Sequence, residues 1–238
     1  MVATGNEGSM ANPSNVVETI NMKVSQACHT LPQYPKAVKM ANGMMINGVQ
    51  IIAGGGDFSG PISEVYILDH LSNSWVLLGN MAETRKQFAV AELDGGLWAM
   101  GGLTTNNKDS MDSSTEIIYP DGTILDGPEL PEARAGHCAV TLPNGKVVIM
   151  GGRTSKTVIT KDVLFYDPST STFASGNTYE QMTYERETFA CTHFYSDKHL
   201  GRPVILSAGG SSAGGSSKAE IYDYVNGCWE ESKLILSY

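Results

Sequence analysis

The chain has 238 residues, 41% apolar and 17% charged, with 26 glycines and a net charge of -9. This composition excludes a disordered tail, and a balance so acidic lacks the electrostatic footprint of a nucleic-acid binder. No apolar run approaches the ~20 residues that a spanning helix needs.

Taken in chain order, the elements repeat. The N-terminal Met1-Val2-Ala3-Thr4-Gly5 has no basic or apolar leader pattern and looks like a strand ending in glycine. Glu18-Thr19-Ile20 then heads a β-prone run, with His29 eleven residues past the acid. The next unit is fuller. A strand turns at Ile46-Asn47-Gly48-Val49 into Gln50-Ile51-Ile52-Ala53, which ends on Gly54-Gly55; Glu64-Val65-Tyr66-Ile67 follows, then Trp75. The third unit turns at Asp94-Gly95, ends its second strand on Gly101-Gly102 and continues through Glu116-Ile117-Ile118-Tyr119 to Ile124. The fourth turns at Asn144-Gly145, reaches Gly151-Gly152, then Asp162-Val163-Leu164-Phe165-Tyr166 and Phe173. The fifth has Gly209-Gly210, Glu220-Ile221-Tyr222-Asp223 and Trp229, and Leu234-Ile235-Leu236-Ser237-Tyr238 ends the chain.

Asn-Gly and Asp-Gly supply the positive φ angles of two-residue hairpins, so each unit reads as four antiparallel strands. The acids at 18, 64, 116, 162 and 220 set a period near 50 residues. No helical periodicity competes, and the expected class is all-β.

The glycine doublet, the acid leading into a tyrosine and the downstream tryptophan, as in Gly54-Gly55, Glu64-Val65-Tyr66 and Trp75, resemble the kelch repeat. That resemblance implies a β-propeller, here a single domain of five four-stranded blades at about 1–35, 36–80, 81–131, 132–185 and 186–232. Residues 233–238 would complete the first blade and hide its exposed edge; the alternative is a fragment of a larger ring, since kelch propellers more often have about six or seven blades. His29 and Ile124 depart from the usual tryptophan.

The cysteines, Cys28, Cys138, Cys191 and Cys228, form no C-x-x-C pair and are too sparse for a disulfide scaffold, so reduced thiols and a cytoplasmic setting are expected. Cys191 and His193 share a strand face, but zinc needs about four converging ligands, and His137 and Cys138 align with Phe88 and Ala89 as core positions. No metal and no cofactor are expected. The doublets lack a phosphate-loop signature, and Ser211–Ser217 reads as a polar loop tip. Trp75, Phe173 and Trp229 are expected to pack blade against blade.

Lys36, Arg85, Arg134 and Arg186 each lie just before an innermost strand. The resemblance places them at one mouth of the channel, where arginines of kelch adaptors hold acidic peptide groups. They would equally pair with the repeated acids and hold blades together, and both readings stand at this point. The function implied is non-catalytic capture of a protein or acidic peptide at that mouth, as in a substrate adaptor, with no nucleic acid and no membrane. A kelch-type enzyme such as a sugar-acid epimerase, and a cytoskeletal binding protein, are the alternatives.

Overall fold

The computed structural model describes residues 2–3, 18–19, 29–176, 180–211 and 217–232. It is a β-propeller built from antiparallel sheets. Sheet I has three short strands, β1 (Val2–Ala3), β2 (Glu18–Thr19) and β3 (His29–Thr30). Sheet II comprises β4 (Asn42–Ile46), β5 (Val49–Ala53), β6 (Glu64–Asp69) and β7 (Ser74–Asn80); sheet III comprises β8 (Ala89–Leu93), β9 (Gly96–Met100), β10 (Thr115–Ile118) and β11 (Ile124–Asp126). Sheet IV holds β12 (Cys138–Thr141), β13 (Val147–Met150), β14 (Val163–Asp167) and β15 (Thr172–Ser175). Sheet V holds β16 (Ala190–Ser196), β17 (Arg202–Ala208), β18 (Ala219–Asp223) and β19 (Cys228–Glu231). In every sheet the strands pair in chain order, and the inner strands β4, β8, β12 and β16 lie side by side. The expected closing strand at 233–238 lies outside the described residues.

The hairpins at Asn47-Gly48 and Asp94-Gly95 have positive φ at both positions (49° and 83°, 50° and 78°), the mirror-image turn that matches strand twist. At Asn144-Gly145 only the glycine is left-handed. That hairpin widens, and the Leu142 N–H donates to the Lys146 carbonyl at 2.8 Å.

Sheets III and IV pack through aromatic contacts, as expected of Phe173, whereas the ring contacts of Trp75 and Trp229 are with Tyr34 and with Tyr222 of the same sheet. Trp98 of β9 is fully buried, with Tyr166 at 5.0 Å and Phe173 at 6.3 Å in sheet IV. A buried indole needs an acceptor, and its Nε1 donates to Thr115 Oγ1 at 2.7 Å. Trp75 and Trp229 use their Nε1 atoms differently: they bind the Pro32 and Glu180 carbonyls in the strands of chain entering sheets II and V.

One expectation fails. Cys138 and Cys191 are not reduced thiols: a disulfide joins them, linking inner strands β12 and β16, while Cys228 is free and exposed. Aligned with small residues on neighbouring inner strands, the two positions approach to 6.1 Å between Cα atoms, which suits a disulfide. Among the described residues, no helix is long and apolar enough to cross a membrane.

Candidate functional site

The glycine doublets and the basic residues before the inner strands form one structure. In each doublet the second glycine donates its N–H to the main chain of the next blade: Gly55 to the Arg85 carbonyl at 2.7 Å, Gly102 to Arg134 at 2.9 Å, Gly152 to Arg186 at 2.7 Å. The arginine side chain then reaches the first glycine of its own blade. Arg85 Nη1 donates to the Gly101 carbonyl at 2.9 Å, Arg134 Nη1 to Gly151 at 3.2 Å, and Arg186 Nη1 to Gly209 at 2.7 Å. Only glycine fits there. Gly101 has φ +58°, and a Cβ on it would stand 2.6 Å from the Arg134 carbonyl oxygen.

The repeated acids complete this clasp. Arg85 Nε and Nη2 donate to Glu116 at 3.3 and 3.1 Å, and Glu116 also accepts the Ala82 N–H at 2.7 Å. Arg186 Nε donates to Glu220 at 3.0 Å, and Glu220 accepts the Thr183 N–H at 2.7 Å. Arg85, Arg134 and Arg186 are all buried, so these guanidinium groups are interior ties between a blade and the chain entering it. Lys36, ion-paired with Glu64, is the one of the four whose side chain is part exposed, at 39%.

The fourth clasp is incomplete. Asp162 replaces the longer glutamate, Pro131 replaces the residue whose N–H the acid would accept, and Arg134 Nε is buried with no acceptor among the described residues. Its nearest carboxylate contact is Glu132, at 3.8 Å from Nη2. Burial pushes the Arg134 guanidinium below its ordinary pKa, against the fields of Glu132 and Asp162.

Next to the clasps the chain rings the axis. Met40, Gln87, Gly136 and Thr188 are all left-handed, with φ between 53° and 65°. The N–H of Gln87 donates to the Met40 carbonyl at 3.2 Å, Gly136 to Gln87 at 2.7 Å and Thr188 to Gly136 at 2.7 Å. Holding non-glycine residues in this region costs on the order of 1–3 kcal/mol each, and such strain gathers at functional sites. These residues, with Asn42, Phe88, His137 and Phe189, line a cavity of about 190 Å³.

Outside this ring lie cations that the sequence reading passed over. The Lys86 stem is buried, and its Nζ donates to Asn106 Oδ1 at 2.5 Å. No carboxylate pairs with it among the described residues. Burial and then the nearby Lys39 charge hold its ammonium below the usual lysine pKa. Asn106 Nδ2 also reaches the Ser59 carbonyl at 3.4 Å, which brings the Asp57–Gly60 loop, with Phe58 80% exposed, beside Lys86. One blade on, Arg153 binds Glu187 in a bidentate pair at 2.8 and 2.5 Å. The signal for Lys86 was its place directly after Arg85: in extended chain, neighbours point oppositely, so the lysine is directed away from the clasp that the arginine enters.

Among the described residues, no three His, Cys, Asp or Glu side chains gather to hold a metal ion. A second cavity, about 390 Å³, carries Glu83, Asp112 and Asp126 beside the Arg85–Glu116 pair.

No family model matches the chain. It is 34% identical over 115 residues to Kelch-like protein 23 of Mus musculus, a match covering 48% of this chain and 20% of the mouse protein. It is 28% identical over 162 residues to an F-box/kelch-repeat protein of Arabidopsis thaliana, covering 66% of this chain and 42% of that protein. The chain thus spans between a fifth and under half of these relatives. A solved structure titled "Structure of YjhT" superposes with a TM-score of 0.77 and 15% identity, over 93% of this chain and 78% of that one.

Proposed function

Because the chain is a kelch-repeat β-propeller, we propose that it is a non-catalytic protein-interaction module whose channel mouth captures an acidic segment of a partner protein. One observation carries the reading. Lys86, 9% exposed, holds an ammonium in a molecule with net charge -9, braced by Asn106, crowded by Lys39 and without a carboxylate counter-ion among the described residues. An arriving carboxylate relieves that repulsion and gains a charge-assisted hydrogen bond. Phe58, exposed beside it, offers an aromatic anchor of the kind that dominates interfaces. Lys36, paired with Glu64, would extend the cationic edge, while Arg85, Arg134 and Arg186 would act indirectly by fixing the mouth loops.

The test is fluorescence anisotropy with a labelled peptide alternating glutamate and leucine, and a lysine-for-glutamate version as control. The acidic peptide should bind, and its affinity should fall as salt rises. Lys86→Ala should weaken it about tenfold, the ~1.4 kcal/mol of a charge-assisted contact, with the melting temperature unchanged. Equal binding of both peptides, or indifference to Lys86→Ala, would refute the reading.

A further inference from the structure

The junction between sheets III and IV departs from its neighbours in four places at once. The three junctions between sheets II and V have a ring slot before the inner strand, filled by Phe88, His137 or Phe189, whereas Ala41 stands at the equivalent place before β4. The slot is walled by two glycines: a Cβ on Gly54, Gly101 or Gly151 of the preceding sheet would stand 3.0, 3.3 or 3.0 Å from the ring. A Cβ on Gly102, Gly152 or Gly210 of the same sheet would stand 2.8, 2.7 or 2.7 Å from the aromatic residue's own Cβ. His137 therefore occupies a phenylalanine slot. It is 5% exposed, and neither ring nitrogen has a partner among the described residues. The same junction carries Asp162 in place of glutamate, Pro131 without an N–H, and the Arg134 Nε without an acceptor.

The charged groups around the slot do not favour an imidazolium. Arg134, three residues before, repels it. Glu132 is turned to Arg134, and Asp162 also faces Arg134. From sheet III, Asp112 is engaged by Ser114 Oγ at 2.5 Å and Arg85 Nη1 at 3.4 Å.

We propose that this junction is an acid-labile seam: protonation of His137 drives its ring out of the slot and parts sheet III from sheet IV at the channel mouth. Burial first, and Arg134 second, hold the imidazole of the closed form well below its ordinary pKa. In an open junction it titrates near ~6.5, so the open form binds more protons and the closed form is fully favoured only above that pH. Below about pH 6 the opening equilibrium should rise about tenfold for each pH unit, since a single proton is taken up. The inference does not depend on the identity of any partner.

Amide hydrogen exchange between pH 7 and pH 5, corrected for intrinsic rates, reads this directly. The Gly102 and Gly136 amides donate across the seam, to Arg134 and Gln87, whereas Gly55 and Gly152 donate across the flanking junctions. In the wild type, the first pair should lose protection about tenfold per unit while the second pair holds. In His137→Phe, which copies the neighbouring slots, the seam amides should not respond to acid. Simultaneous loss at all three junctions, or an unchanged acid response in His137→Phe, overturns the proposal. The wild-type pattern alone decides it if that variant does not fold.

Discussion

Lengthening one side chain should repair the incomplete clasp. In Asp162→Glu, the carboxylate gains the methylene that lets Glu116 and Glu220 reach the Nε of Arg85 and Arg186, at 3.3 and 3.0 Å. Arg134 Nε is buried without an acceptor, so the new contact is a hydrogen bond to a charged group, of about 1.5–3 kcal/mol. Ordering a longer side chain takes back part of that, by up to about 1.5 kcal/mol. Pro131 offers no N–H, so the glutamate would make fewer bonds than Glu116 does. A net gain of about 1 kcal/mol remains, which for a chain of this size raises the melting temperature by about 2–4 °C. Thermal melts followed by tryptophan fluorescence, with urea titrations to confirm an unchanged slope, measure it. The reverse change, Glu220→Asp, should lower stability by about 3 kcal/mol or more, because it withdraws a carboxylate from a fully buried guanidinium and from the Thr183 N–H. An unchanged or lowered melting temperature in Asp162→Glu, with Glu220→Asp harmless, would refute the reasoning.

Reducing Cys138–Cys191 opens a loop of 53 residues and should cost about 4 kcal/mol, seen as a fall of about 8–16 °C in the melting temperature with reductant. Trp98→Ala should cost about 3–5 kcal/mol by leaving a void against Tyr166 and Phe173, measured by urea unfolding. Gly102→Ala should sharply reduce the yield of folded protein, since φ is +99° and the added Cβ would lie 2.8 Å from both the Lys86 carbonyl oxygen and the Phe88 Cβ. Lys146 and Ser169 hold the Asp167 carboxyl down to about 2. Its contribution to stability is thus present above about pH 4 and lost as pH falls through about 2, and carboxyl NMR titration of Lys146→Met should show its midpoint moving back up.

The strands were legible because their signals are local. Asn47-Gly48 and Asp94-Gly95 carry turn chemistry in two residues, and the doublets and acids recur at one period. The pairing of Arg85 with Glu116 and of Arg186 with Glu220 was legible as one of two roles for the same cations, because both members recur at equivalent places. The disulfide was not legible: its cysteines are 53 residues apart and meet only because β12 and β16 become neighbours on the ring. Nor was the Asn106 brace on Lys86, since it depends on how a loop of sheet III folds back over the chain that enters that sheet. The gap at Asp162 was written in the sequence as a shorter acid, but its meaning required the geometry of the two complete clasps.

The Cys138–Cys191 bond encloses sheet IV, with its exposed Lys156 loop, inside a covalent circle. A protease that cuts at Lys156 therefore breaks the backbone without separating the two halves. On a gel, the nicked product would migrate as a single species until a thiol is added and as two fragments afterwards, so damage to this blade could go unseen in an oxidising medium and become fatal on transfer to a reducing one.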